Sequence, residues 1–440
     1  MQIFQQVLFV FLTGFAIWFF IKNVKIISRN ISMGTDVKMH GNTAERWRNV
    51  LLLALGQKKM FKYPLVAFFH FIIYAGFIII NIEILEIILD GILGTHRLFA
   101  PALGSLYDFL INTFEFLALG VIAVCVIFLY RRNVQKVDRL NRSELDGWPR
   151  SDANFILVME IVLMSLFLTM NASDKALQLL NDPHYPQTGN FFLSGLITPV
   201  FANLEAGTLI AIERTAWWLH IVGVLFFLNY LPYSKHLHVV LAFPNAYYAS
   251  TLPMGRFTNM PDIQNEVLYA MQPELAPTTA GDQVPGKFGA KDVPDLSWKN
   301  LMDAYSCTEC GRCTAACPAN ITGKKLNPRK IMMDTRDRME EIGKNITKNK
   351  SFVDDGKTLL RDYITEEELR ACTTCQACVE ECPVSINPLD IIVQLRRHLI
   401  MEESNAPQEW NTMFSNTENN FAPWKFSPDE RDKWREEMPQ

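Results

Sequence analysis

Long apolar runs alternate with short charged stretches over residues 1–234, and the pattern then stops. Residues 1–21 contain no Lys, Arg, Asp or Glu. A bilayer's hydrocarbon core takes about 20 apolar residues of helix, so this run predicts a first transmembrane helix. Positive charge follows the run, from Lys22, instead of preceding it as in a secretory signal, so the helix is expected to be retained. Four further runs have the same character. Residues 63–82 are uncharged, residues 109–130 carry only Glu115, and residues 153–173 carry only Glu160. Residues 215–234 hold no charge apart from any on His220. Five spans leave the two chain ends on opposite sides.

The loops orient these spans. Residues 22–62 hold nine Lys/Arg and residues 131–152 hold six, whereas residues 90–108 and 174–213 hold one each, Arg97 and Lys175. Basic loops stay in the cytoplasm. The N-terminus is therefore expected outside and everything after Lys235 inside, in a bacterial or archaeal cytoplasmic membrane. Over the whole chain 42 basic residues nearly balance 46 acidic ones, which gives no general reason to expect nucleic-acid binding.

Ionisable groups inside the spans are candidates for function. His70 lies in the second span, His220 in the fifth, and His238 just past the fifth, beside His236. Imidazoles on facing helices suit the axial positions of a haem iron. The plainer reading is a histidine bonded to a neighbouring helix's backbone. Depth measured along the helices favours His70 with His220 slightly; a second haem through His238 has no evident second ligand. Glu115 and Glu160 suggest either a proton path to a quinone or interhelical contacts. Cys125, the ninth cysteine, reads as a buried inert thiol.

From residue 244 to 294 the hydrophobic runs give way to seven prolines, and the segment reads as an extended connector. The eight remaining cysteines follow in two runs. Cys307, Cys310, Cys313 and Cys317 precede Pro318; Cys372, Cys375, Cys378 and Cys382 precede Pro383. Both runs are C-x2-C-x2-C-x3-C-P, the spacing that holds cubane 4Fe–4S clusters. Three closely spaced thiolates meet three corners of one cube, and the fourth is carried by the turn at proline to the other cube. This assigns Cys307, Cys310, Cys313 and Cys382 to one cluster, and Cys372, Cys375, Cys378 and Cys317 to the second. Zinc would not need the third and fourth cysteines, and disulfides do not suit a reducing cytoplasm. Each run feeds a helix that opens on an asparagine cap and a proline, at Asn327-Pro328 and Asn387-Pro388. The charged tail carries Trp424 and Trp434, which must dock on a partner or on this chain's own ferredoxin domain.

These residues resemble a known group of proteins. The sequence HFIIYAGF around His70, and WWLHIVGVLFFLNYLPYSKHLH around His220 to His238, look like the cytochrome b (gamma) subunit of respiratory nitrate reductase and its relatives. That subunit has two histidines in its second span, whereas neither Met60 nor Ile80 is histidine here, so the resemblance supports one haem. The cysteine half is similar to the small iron–sulfur subunit of heterodisulfide reductase. Fused chains of both halves resemble membrane oxidoreductases that link electron-transfer flavoprotein to quinone. Those carry a further CCG domain that has no counterpart in this sequence, which implies a separate CCG-type subunit.

The chain is thus expected to be all-α. Residues 1–240 form a five-helix transmembrane bundle of cytochrome b type and 241–295 an extended linker. Residues 296–403 form an α-helical ferredoxin domain with two 4Fe–4S clusters, and 404–440 a partner-docking tail. The expected function is electron transfer between a cytoplasmic redox partner and the quinone pool, through the clusters and haem b, as one subunit of a quinone-linked oxidoreductase. The partner would be electron-transfer flavoprotein or another flavoprotein. The rivals are the membrane subunit of a lactate or glycerol 3-phosphate dehydrogenase, and a haem-free redox sensor or scaffold.

Overall fold

Each apolar run folds into a long helix that takes in polar residues beyond the run. A computed structural model describes residues 2–257, 259–276, 287–425 and 427–438. Its first five long helices are α1 (Gln2–Ile31), α2 (Pro64–Leu93), α3 (Ser105–Asn133), α4 (Trp148–Leu179) and α5 (Ala206–Tyr230). All five are long and apolar enough to cross a membrane. Proline opens α2, where no amide partner is needed, and Gly94 closes it at φ 72°.

The helices outlast their apolar runs. Thirty residues of helix span about 45 Å, well beyond the hydrocarbon thickness. The extra turns carry Glu83, Glu86 and Asp90 on α2, Asp174 on α4 and Glu213 on α5, all buried. Arg97, itself buried, gathers several of them. It donates to Glu83 at 2.9 Å, Asp174 at 3.0 Å and Asn171 at 2.6 Å, and lies over the Phe191 ring. A buried cation with carboxylate partners from two helices ties the far end of the bundle together.

Between these ends α4 packs on α3 and α5, α2 on α3, and α1 on α2 and α5. Ile111, Ala118, Phe167 and Ile221 are fully buried there. The other end of the bundle meets the ferredoxin domain, chiefly through α1. Ile27 joins the ferredoxin core, Arg29 donates to the Gly343 carbonyl at 2.7 Å, and Asn30 donates to the Tyr305 hydroxyl at 3.0 Å. Thr35 then exchanges backbone hydrogen bonds with Leu296 and Trp298. The basic segment after the first span is therefore partly a rigid extension of the span.

The connector read as extended is partly helical, with α6 (His238–Tyr247) and α7 (Pro261–Met271). Proline placed at the first turn starts α7, and Pro244 lies within α6. Its residues 277–286 lie outside the described residues. The cysteine half is built on α8 (Trp298–Ser306), α9 (Pro328–Asn349) and α10 (Pro388–Arg397). The Asn327 side chain caps Arg329 and Lys330, and Asn387 caps Asp390. Leu301, Ile331, Met339, Ile391 and Leu395 form the core. Among the described residues there is no strand, only isolated bridges. The tail forms α11 (Gln408–Asn420), beyond which Phe421, Trp424 and Trp434 stand exposed instead of packing on the ferredoxin core.

Candidate functional site

Two tight coils of backbone carry the cysteines. Glu309 and Gly311 take positive φ in the first (53° and 74°), and Thr374 and Gln376 in the second (58° and 62°). In both repeats these positions fall two residues after the first cysteine and one after the second. Left-handed residues curl the chain and bring successive side chains to one side. A Cβ on Gly311 would lie 2.6 Å from the Arg329 guanidinium and 2.9 Å from the Arg139 carbonyl, so glycine is required there. Gln376 fills the equivalent place where that crowding is absent.

The coils sort the cysteines across the two runs. Cys307, Cys310, Cys313 and Cys382 line one small cavity, and Cys317, Cys372, Cys375 and Cys378 line another. Among the described residues no three His, Cys, Asp or Glu groups converge closely enough for a single metal ion. Four sulfurs around one cavity, too dispersed for one ion, fit an inorganic cube better than zinc. Burial, reinforced by neighbouring thiols, pushes Cys378 and Cys382 up to about 12. Thiols in such a place give up their protons when a cationic centre sits between them. Backbone amides also point at the sulfurs, Thr374 at Cys372 and Ile386 at Cys382.

A third cavity, about 730 Å³, lies where the bundle meets the ferredoxin domain. Pockets for small organic groups run to about 300–1,000 Å³. Thr308, Glu309 and Cys310 line both this cavity and the first cysteine site. Across from them stand His70, His236 and His238. His70 Nδ1 is 3.1 Å from Gln57 Oε1, and His238 Nδ1 is 2.9 Å from the Lys235 carbonyl. Anchoring Nδ1 in this way fixes the ring and leaves Nε2 for a metal. His236 Nε2 is buried with no hydrogen-bond partner, and its ring centroid is 5.6 Å from that of His238. Burial, helped by His238 and His70, holds His236 down at about 3, and burial pushes His238 down as well. Both are neutral at pH 7, the form that binds iron. Arg131, Arg132, Arg139 and Arg312 line the ferredoxin end, which suits a planar group bearing carboxylates. The chemistry of these residues fits a haem.

His220 does not join them. Its Nδ1 bonds the Leu163 carbonyl at 2.9 Å, its ring packs near Phe167, and it does not line the cavity. The structure thus sets His70 and His238 on one cavity and leaves His220, the other half of the expected pair, outside it, with its own Nε2 buried and without a hydrogen-bond partner. The close approach of α4 and α5, where a Cβ on Gly223 would meet Leu163 at 2.7 Å, brings that carbonyl within reach. Glu115 is also structural. It accepts from Asn171 at 3.1 Å and from the amides of Leu193 and Ser194 at 2.8 and 3.2 Å. Cys125 is fully buried, and Glu160 lines the cavity.

A charged latch joins cavity and cysteine coil. Glu309 pairs with Lys235 and with Arg336, the latter at 2.8 Å. Burial alone would raise the Glu309 carboxyl, but the two cations outweigh it and hold the group below its usual range. Arg139 donates to the Cys310 carbonyl at 2.6 Å, and the buried Arg329 donates to the Arg139 carbonyl at 2.6 Å. Sequence reasoning missed Gln57, Lys235 and Glu309 as parts of the site. Only Lys235 and Glu309 carried a signal, each lying beside a candidate ligand.

Residues 306–386 match a 4Fe-4S dicluster domain. The chain is 28% identical, over 99% of its length, to a probable iron-sulfur-binding oxidoreductase, FadF, of Bacillus subtilis, and covers 61% of that protein. It is 26% identical, over 91% of its length, to the EtfAB:quinone oxidoreductase of Syntrophomonas wolfei, covering 55% of it. A stretch of 108 residues is 37% identical to one component of the ferredoxin/F(420)H(2)-dependent CoB-CoM heterodisulfide reductase of Methanosarcina acetivorans; it takes in 24% of this chain and 53% of that one. The chain thus spans less than two thirds of the length of these curated relatives. No solved structure matches it significantly. With the five apolar helices, these similarities indicate an iron–sulfur electron-transfer protein of the membrane-anchored kind.

Proposed function

We propose that the chain is the membrane subunit of an oxidoreductase complex that moves electrons between a partner on the ferredoxin side and the quinone pool. The carrying observation is the shared wall: Cys310 and its neighbours line both the first cysteine site and the histidine cavity. In this reading Cys307, Cys310, Cys313 and Cys382 hold one 4Fe–4S cluster, and Cys317, Cys372, Cys375 and Cys378 the other. His70 and His238 hold one haem b, in a bundle of nitrate reductase gamma type. When bound, these groups supply one-electron centres in series. The protein's own part is to hold ligand rings by their Nδ1 atoms, aim amides at sulfurs and keep the Lys235–Glu309 latch closed between the two sites. The ferredoxin domain is helical and cytoplasmic, with the N-terminus outside, as the fifteen-to-two bias of basic loop residues favours.

The quinone assignment is supported by the name of one relative and by the cavity. The partner is a flavoprotein, electron-transfer flavoprotein or a similar one, together with a CCG-domain subunit of heterodisulfide reductase type. Exposed Phe421 and Trp424 beyond α11 are the docking surface for that subunit. The test is anaerobic isolation of the complex from membranes. Iron, acid-labile sulfide, a reduced-minus-oxidised haem spectrum and a co-purifying flavoprotein are expected. Material without iron and sulfide overturns the reading, and clusters without a haem band remove the histidine assignment.

A further inference from the structure

The two carboxyls inside the spans look alike in the sequence, and the structure separates them. Glu115 has all its bonds made. Glu160 has neither a hydrogen bond nor an ion pair among the described residues, and it lines the 730 Å³ cavity. The buried Cys125 thiol, which lines the same cavity, is an electrostatic neighbour of it. An unpaired carboxylate in an apolar bundle is costly, so the group rests as the neutral acid, with a proton to give.

Its depth is informative. α2 and α4 both begin at the ferredoxin end, where Lys62 meets Glu381 and the Pro149 carbonyl meets Lys235. At 1.5 Å per residue His70 sits ~9 Å into α2 and Glu160 ~18 Å into α4. The cavity therefore has two ends. Among its lining residues, His70 and the arginines lie nearer the ferredoxin end, and Ile78, Leu157 and Glu160 lie deeper along their helices. An apolar chamber with one acidic group suits a ring whose carbonyls need protons.

We infer that Glu160 is the proton-donating residue for quinone bound at the deep end of this cavity. This rests on the quinone-linked reading above. A quinone takes two electrons, supplied through the one-electron centres of that reading, and two protons to become a quinol. Glu160 gives one proton to a carbonyl oxygen as its own O–H bond breaks and the quinol O–H bond forms. Water from the ferredoxin side supplies the second proton and reprotonates the carboxylate. Quinol oxidation runs the same transfer backwards, with Glu160 as the base.

The test uses the membrane-bound complex reduced by dithionite, with decylubiquinone and menadione as acceptors and ferricenium as an acceptor that takes no proton. Glu160→Gln is expected to lower kcat with both quinones by about 100-fold, within the span of general acid–base effects. KM should change little, and ferricenium reduction should stay within about twofold of wild type. Infrared difference spectra on quinone reduction should lose a protonated-carboxyl band in this variant. Glu160→Asp, which keeps the acid and the fold, should restore the band and at least a tenth of the rate. Wild-type kcat with quinone in a fully loaded Glu160→Gln protein overturns the assignment. If Glu160→Gln loses its clusters, an unchanged rate in Glu160→Asp together with no carboxyl band in the wild type overturns it instead. A wild-type complex that reduces ferricenium but neither quinone overturns the quinone reading, and this proposal with it.

Discussion

Cys317 offers the sharpest test of the cysteine arrangement. It belongs to the first run by sequence, yet it is buried beside Cys372, Cys375 and Cys378 of the second. Serine in its place keeps the shape but offers a hydroxyl that ionises far less readily than a thiol. Two intact cubanes hold about eight irons, so loss of the cluster served by Cys317 should leave about four. Partial damage should instead give a three-iron signal in oxidised protein by electron paramagnetic resonance. Double variants decide between the groupings. Cys317→Ser with Cys372→Ser removes two ligands of one cluster and should cost no more iron than the worse single variant. Cys317→Ser with Cys307→Ser strikes both clusters and should leave almost none. This is the non-additivity expected of groups that act as one unit. The opposite result, with Cys317 and Cys307 behaving as one unit and Cys317 and Cys372 as two, would refute the crossed arrangement.

Other outcomes follow from the same geometry. His70→Ala or His238→Ala should abolish the haem band in pyridine haemochrome spectra while His220→Ala keeps it; loss of the band in His220→Ala with retention in His238→Ala would restore the His70–His220 pairing. Arg97→Met leaves Glu83 and Asp174 buried without their cation, which costs about 3–5 kcal/mol. Its unfolding midpoint by circular dichroism in detergent should fall by roughly 10 °C, and a drop under about 2 °C would show that the network is dispensable. Gly311→Ala forces a Cβ against Arg329 and Arg139, a strain of about 1–3 kcal/mol, and should lower iron content. Gly323→Ala has a similar φ but open space around the added atom, so it should keep its iron and isolate the steric effect. Lys235→Met removes a positive charge beside Glu309 and should lower the midpoint potential of the nearer cluster in redox-titrated spectra, with Lys235→Arg restoring it.

Much of this was legible from residue order because it depends on local chemistry. Twenty uncharged residues must form a helix in lipid, since no water is present to satisfy the backbone. A proline after an asparagine cap starts a helix wherever it stands, and three cysteines with two residues between each are bound to share a site. Five spans, two cysteine coils and the helices after Asn327 and Asn387 follow from such rules. The helix ends did not, because polar residues such as Glu83 and Asp174 enter a span when an arginine from elsewhere in the chain neutralises them. Nor did the choice of which histidines line the cavity. Depth along a helix is written in the sequence, but rotation about its axis is set by packing, and packing turned His220 toward Leu163 and His238 toward the cavity. Glu115 and Glu160 make the same point: each is a lone acid in an apolar run, and only the neighbours brought by the fold made one a bonded strut and left the other an unpaired group facing a chamber.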